Sequence, residues 1–154
     1  MTPQFRAYVQ QAQPQFIARA RRDYGLEVHP GPFGINSRPA LIGEQYAQSQ
    51  GKGEAYHAAV MDAYWLRGEN IEDVNHLADL AASVGLDRAA FLAALQSPEY
   101  EAAVEEDVAQ AHAFGLTGVP ALVFNNKYLV VGAQPYAVLK RVVQRCEQEP
   151  GDDE

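Results

Sequence analysis

The sequence predicts an α/β chain built from a helical bundle, one β-hairpin and a closing helix. Three observations predict it. Apolar residues recur at three- and four-residue spacing from Pro3 to about Phe114. The period then drops to that of strands in Pro120–Phe124 and Lys127–Val131, two apolar runs around Asn125-Asn126. Helical spacing returns after Gly132-Ala133-Gln134-Pro135, through Val138, Leu139, Val142, Val143 and Cys146.

Taken in order, Phe5, Val9, Phe16, Ile17 and Tyr24 mark a first helix, which Pro14 should break or kink and Gly25 should stop. Residues 25–36 hold three Gly and two Pro and read as loop. Asn36 or Ser37 can cap the next helix, with Pro39 in its first turn, and Gly51-Lys52-Gly53 ends it. A third helix, about Glu54 to Leu66, places Tyr56, Val60, Met61, Tyr64 and Trp65 on one side. Asp73 caps a helix striped by Leu77, Leu80, Ala81 and Val84, and Asp87 caps a short one holding Phe91, Leu92 and Leu95. Ser97-Pro98-Glu99 starts a long helix that runs to Phe114 and stops at Gly115. The Asn125-Asn126 pair suits a type I′ turn, because asparagine tolerates the positive φ needed at both central positions.

Composition narrows the function. The chain has 154 residues, 47% of them apolar or aromatic, which is enough for a real core. Its net charge is -8, a poor match for a phosphate backbone, so no nucleic-acid partner is expected. The apolar segments are shorter than a bilayer span and the start carries no secretory pattern, so the reading is a soluble, cytoplasmic chain without a membrane partner. Charge is uneven: residues 1–40 hold five arginines against two acids, whereas the rest holds seven basic and eighteen acidic side chains. A solvated face explains Arg19, Arg21 and Arg22, near a helix C-terminus. The lone cysteine, Cys146, excludes an internal disulfide, an all-cysteine metal site and a Cys-x-x-Cys pair, and falls on the apolar stripe of the closing helix as a small core residue.

Spacing alone also raises a metal site. Glu54-x-x-His57 and Asp73-x-x-His76, with Glu44 and Glu101, echo the ligand pattern of a di-iron helical bundle. Asp73 is better explained as an N-cap and Glu54 as a first-turn acid, so no metal is assigned. His29 and His112 read as solvated or capping residues, Glu101, Glu105, Glu106 and Asp107 as a solvated face, and Tyr56, Tyr64 and Trp65 as core.

One segment carries more. Gly115-Leu-Thr117-Gly118-Val119-Pro120, the hairpin, then Gly132-Ala133-Gln134-Pro135 resembles the C-terminal half of a DsbA-like thioredoxin domain, within it the FrnE-type branch. The resemblance covers about residues 36–146 and is tightest from Gly115 to Pro135. It implies a thioredoxin-like fold with a large α-helical insertion and a C-terminal β-hairpin plus helix. The expected organisation is residues 1–36 as helix and loop, 37–115 as insertion, 116–148 as the C-terminal thioredoxin half, and 149–154 as an acidic tail. It further implies a cis Val119–Pro120 bond, the one kind of peptide whose cis form costs little. The residues expected to meet substrate are Thr117, Gly118, Val119 and Pro120, the Val119 backbone pairing with an extended peptide.

The sequence departs from the family in lacking the first strand and the Cys-x-x-Cys at a helix start, so the fold is expected to be N-terminally incomplete. The implied activity is thiol–disulfide oxidoreductase, with no catalytic residue in this chain and no resident cofactor, and the chain inactive alone. Two other readings remain: a non-catalytic peptide-binding module, and a protein like the glutathione-dependent 2-hydroxychromene-2-carboxylate isomerases. Gly-Ala-Gln-Pro favours the oxidoreductase over the isomerase. The implied partners are a thiol or disulfide protein or peptide, glutathione as a small thiol, and a second copy or an N-terminal segment that covers the hairpin edge.

Overall fold

The computed structural model describes residues 2–148, so the expected acidic tail at 149–154 lies outside the described residues. The chain separates by contact into two units, Met1–Val104 and Glu105–Glu154.

In the first unit, α1 (Pro3–Tyr24) starts where the Thr2 hydroxyl accepts from Phe5 N–H. It ends at Gly25, whose φ of 68° lets its N–H reach the Arg21 carbonyl while Leu26 N–H reaches that of Ala20. Of the break or kink expected at Pro14, the break is absent: one helix runs through it. The missing N–H would have bonded the carbonyl of Gln10, an exposed residue, where water can replace it. Only Ala20 of α1 is buried.

The remaining helices make the core. α2 (Arg38–Ser49) is introduced by Asn36, whose side-chain oxygen accepts from Arg38 N–H at 3.0 Å, while Ser37 makes no side-chain cap. α3 (Gly53–Trp65) and α4 (Val74–Ser83) pack on α2, and α5 (Arg88–Ala94) closes against α2 and α4. Asp73 and Asp87 cap α4 and α5 as expected, accepting from Asn75 N–H and Ala90 N–H. Phe91 is fully buried between Tyr46 (6.0 Å between centroids) and Tyr56 (5.3 Å). Gly43 makes room for both Phe91 and Tyr56. Met61, placed on the apolar side of α3 by sequence spacing, is exposed instead, because α3 buries only Tyr56, Val60 and Ala63.

α6 (Pro98–Ala113) carries the chain from the first unit into the second. There β1 (Ala121–Phe124) and β2 (Tyr128–Val131) pair antiparallel with Ala121 opposite Val131 and Phe124 opposite Tyr128. Asn125 and Asn126 both have φ of 49°, and Lys127 N–H closes the turn on the Phe124 carbonyl at 3.0 Å, which is the expected I′ geometry. α7 (Tyr136–Gln148) packs on β1, and the Arg145 guanidinium lies 5.0 Å from the Tyr128 ring centroid. The hairpin is apolar on both faces: Leu122 and Val130 share one, Leu129 and Val131 the other. Of these four only Val130 is buried. No residue of α7 is fully buried either, so Cys146 is half-buried rather than core, a two-stranded sheet being too narrow to cover the helix.

Candidate functional site: the Thr117–Pro120 loop and its strand edge

Local rules build this loop. Gly115, with φ of 70°, ends α6, and Leu116 N–H caps back onto the Ala111 carbonyl. The chain then crosses Thr117, Gly118, Val119 and Pro120, all four exposed, before entering β1. The Val119–Pro120 peptide is cis. The Pro120 carbonyl accepts from Gly132 N–H at 2.8 Å, extending the ladder one step beyond the Ala121–Val131 pair.

Val119 is the most exposed large apolar residue described, at 94%. Among the described residues its N–H and carbonyl form no backbone hydrogen bond. Among the described residues β1 has one strand neighbour, β2, so its other edge offers backbone groups without a strand partner there, continuous with Val119. Chemically, such an edge can add an extended strand, with affinity from main-chain bonds.

The Gly132–Pro135 segment anchors the far side. Gly132 has φ of 79°, the conformation that turns the chain out of β2 and that a side chain would resist. Gln134 Nε2 donates to the Val131 carbonyl at 2.9 Å, closing the strand end, and Pro135 accepts from Val138 N–H to start α7. Asn125 Nδ2 donates to the Cys146 carbonyl at 3.5 Å, tying the turn to α7. Sequence reasoning missed both side-chain clamps. The signal for Gln134 was its place directly after a strand-ending glycine, and for Asn125 there was none beyond turn propensity.

Among the described residues, those considered as metal ligands form no group of three, and only Glu44 and His57 are seen to pair with each other. His57 Nδ1 lies 3.2 Å from Glu44 Oε1, whereas His76 Nε2 lies 3.0 Å from Glu69 Oε2. Glu101 holds Arg38 at 2.7 Å, and Asp73 caps α4. The Arg67 guanidinium, through a hydrogen bond, holds the Glu69 carboxyl below its usual range, and His76 adds to this. Of the three aromatics read as core, Tyr56 is buried, while Tyr64 and Trp65 are half-buried and line a groove.

Known proteins share this fold. The family model described as DSBA-like thioredoxin domain matches residues 10–144. The protein YwbO of Bacillus subtilis (strain 168) is 29% identical over 117 residues, covering 75% of this chain and 56% of its own length. The thiol:disulfide interchange protein DsbA of Azotobacter vinelandii is 31% identical over 81 residues, covering 53% of this chain and 38% of its own. This chain therefore spans about half the length, or less, of these curated relatives. Among solved structures, a probable DsbA oxidoreductase from Streptomyces coelicolor superposes with a TM-score of 0.79 at 25% identity, over 96% of this chain and 64% of that one. A 2-hydroxychromene-2-carboxylate isomerase gives 0.75 at 24% identity, over 91% of this chain and 68% of that one, a likeness of fold. With the family model spanning the helices, the cis-proline loop, the hairpin and most of α7, the chain belongs to the DSBA-like thioredoxin family.

Proposed function

We propose that this chain supplies the substrate-binding side of a thiol–disulfide oxidoreductase, receiving an extended peptide along Val119 and the open edge of β1. The observation that carries the reading is the exposed Val119, its backbone groups unpaired beside the cis bond to Pro120. Thr117 and Gly118 shape the approach, and Pro120, with no N–H, leaves Val119 as the last donor before the strand.

The chemistry needs a second contributor. Reducing a disulfide transfers two electrons and two protons, and on the enzyme side two thiols become one disulfide. Cys146 alone could carry exchange only as far as a mixed disulfide. This polypeptide by itself should therefore show no turnover in an insulin-reduction assay. Sustained turnover would refute that division of labour.

Binding is tested separately. A short disulfide-bearing peptide titrated into labelled protein should shift the backbone amides of Thr117, Gly118 and Val119 and the residues of β1. Perturbation confined to other elements would overturn the site. The single cysteine equally favours a second reading, a peptide-binding module without chemistry. Adding a separate dithiol protein distinguishes the two, since only the first gains turnover. The open edge and doubly apolar hairpin further support a partner strand, from a second copy or from another segment. Light scattering that finds a monomer binding little hydrophobic dye at the hairpin would count against it.

A further inference from the structure

The first unit contains a groove of about 580 Å³ between the N-terminal half of α1, the loop at residues 30–33 and the C-terminal end of α3. That size falls in the range of roughly 300–1,000 Å³ typical of small-molecule sites. Its walls are rings: Tyr8, Phe16, Phe33, Tyr64 and Trp65. The floor is fixed by backbone bonds, His29 N–H to the Trp65 carbonyl and Gly31 N–H to the Tyr64 carbonyl, both 2.7 Å. The Tyr64 hydroxyl adds a bond to the Pro32 carbonyl. Gly31 is buried, and a Cβ there would lie 2.7 Å from the Tyr64 ring, so glycine is what lets the loop seat on α3.

One charge faces this groove. Among the described residues of the first unit, Arg19 and Arg22 pair with Asp23, Arg21 with Glu27, Arg38 with Glu101, Arg67 with Glu69 and Arg88 with Asp79. Arg6 is the remaining arginine of that unit and has no such carboxylate among the described residues. It lines the groove, and no Asp or Glu lines it with Arg6. An aromatic cage for a cation would want the opposite: rings with a carboxylate and no guanidinium.

We propose that this groove binds a small apolar organic anion, its body among the rings of Phe16, Phe33, Tyr64 and Trp65 and its single negative head on Arg6. The observation is a guanidinium without a carboxylate partner among the described residues, at an aromatic groove, in a chain whose net charge is -8. The site does not depend on the peptide reading at Val119, and a negative result there leaves it standing.

Trp65 is the chain's only tryptophan, so the site reports on itself. The probe is 1-anilinonaphthalene-8-sulfonate, compared with uncharged N-phenyl-1-naphthylamine of similar shape. The expected result is one sulfonate probe per chain, with energy transfer from Trp65 and weaker binding of the neutral probe. Arg6→Gln should weaken the sulfonate about three- to fivefold, the size of a solvent-exposed charge pair, and leave the neutral probe unchanged. Phe33→Ala should weaken both, and Arg88→Gln neither. Equal binding of the two probes, an Arg6→Gln effect no larger than that of Arg88→Gln, several bound probes without a Trp65 response, or no binding at all would each overturn the proposal.

Discussion

Replacing Gly43 by alanine sets two known effects against each other inside the helical core. In a helix interior alanine is better than glycine by about 0.8–1.0 kcal/mol. At this position, however, a Cβ would lie 2.5 Å from Phe91 Cζ and 2.7 Å from the Tyr56 hydroxyl oxygen. That is about an ångström inside the ~3.5 Å separation at which non-bonded atoms attract. Neither ring can retreat into solvent, since Phe91 is 0% and Tyr56 1% exposed. Overpacking of this kind costs about 1–3 kcal/mol, and two blocked rings place it in the upper half. The net expectation is a loss of about 1–2 kcal/mol. Urea unfolding followed by Trp65 emission should show the midpoint falling by roughly 0.5–1 M, using a slope of about 2 kcal/mol/M. In a Phe91→Leu background the space opens, and Gly43→Ala should cost little or become favourable. A higher midpoint for Gly43→Ala alone would refute the close approach of α2, α3 and α5.

Other expectations follow from single groups. The Tyr56 hydroxyl is buried without a hydrogen-bond partner among the described residues, and burial, aided by the Glu44 carboxylate, pushes its pKa well above the tyrosine range. Tyr56→Phe should therefore be neutral or stabilising by up to about 1 kcal/mol in the same urea assay. Asn126→Ala should destabilise the hairpin by about 1–2 kcal/mol, the cost of a left-handed residue, whereas Asn126→Gly should not, as read from cross-strand amide protection. Glu69 ionises more readily when folded than its ordinary value of 4.5, so its contribution is full above that pH and is lost as pH falls through the lower folded value. A carboxyl shift titration should place its midpoint below 4.5, moving back toward that value in Arg67→Ala.

The parts of this molecule decided by local chemistry were the legible ones. Asp73 and Asp87 cap their helices because the side chain satisfies an N–H within three residues, which spacing reveals directly. The paired asparagines stated the turn, and the turn set the register from Ala121 to Val131. The Thr117–Pro120 loop was visible through its motif, but composition and periodicity alone would have left it a strand start. What failed depended on neighbours. Pro14 leaves α1 unbroken, the carbonyl it orphans belonging to exposed Gln10, and Met61 is exposed on a helix that buries only Tyr56, Val60 and Ala63. The groove at Arg6 joins segments some sixty residues apart, from Arg6 to Trp65, and no local pattern announces such a meeting.

A hairpin with apolar side chains on both faces also bears on how the chain behaves as concentration and ionic strength rise. Eighteen of its acids lie beyond residue 40, and at low salt their mutual repulsion holds copies apart. At about 0.15 M salt that repulsion fades beyond roughly 8 Å, while the pull between uncovered Leu122, Leu129 and Val131 side chains is undiminished. Added salt should thus promote association of this chain, the reverse of what an interface held by ion pairs would do.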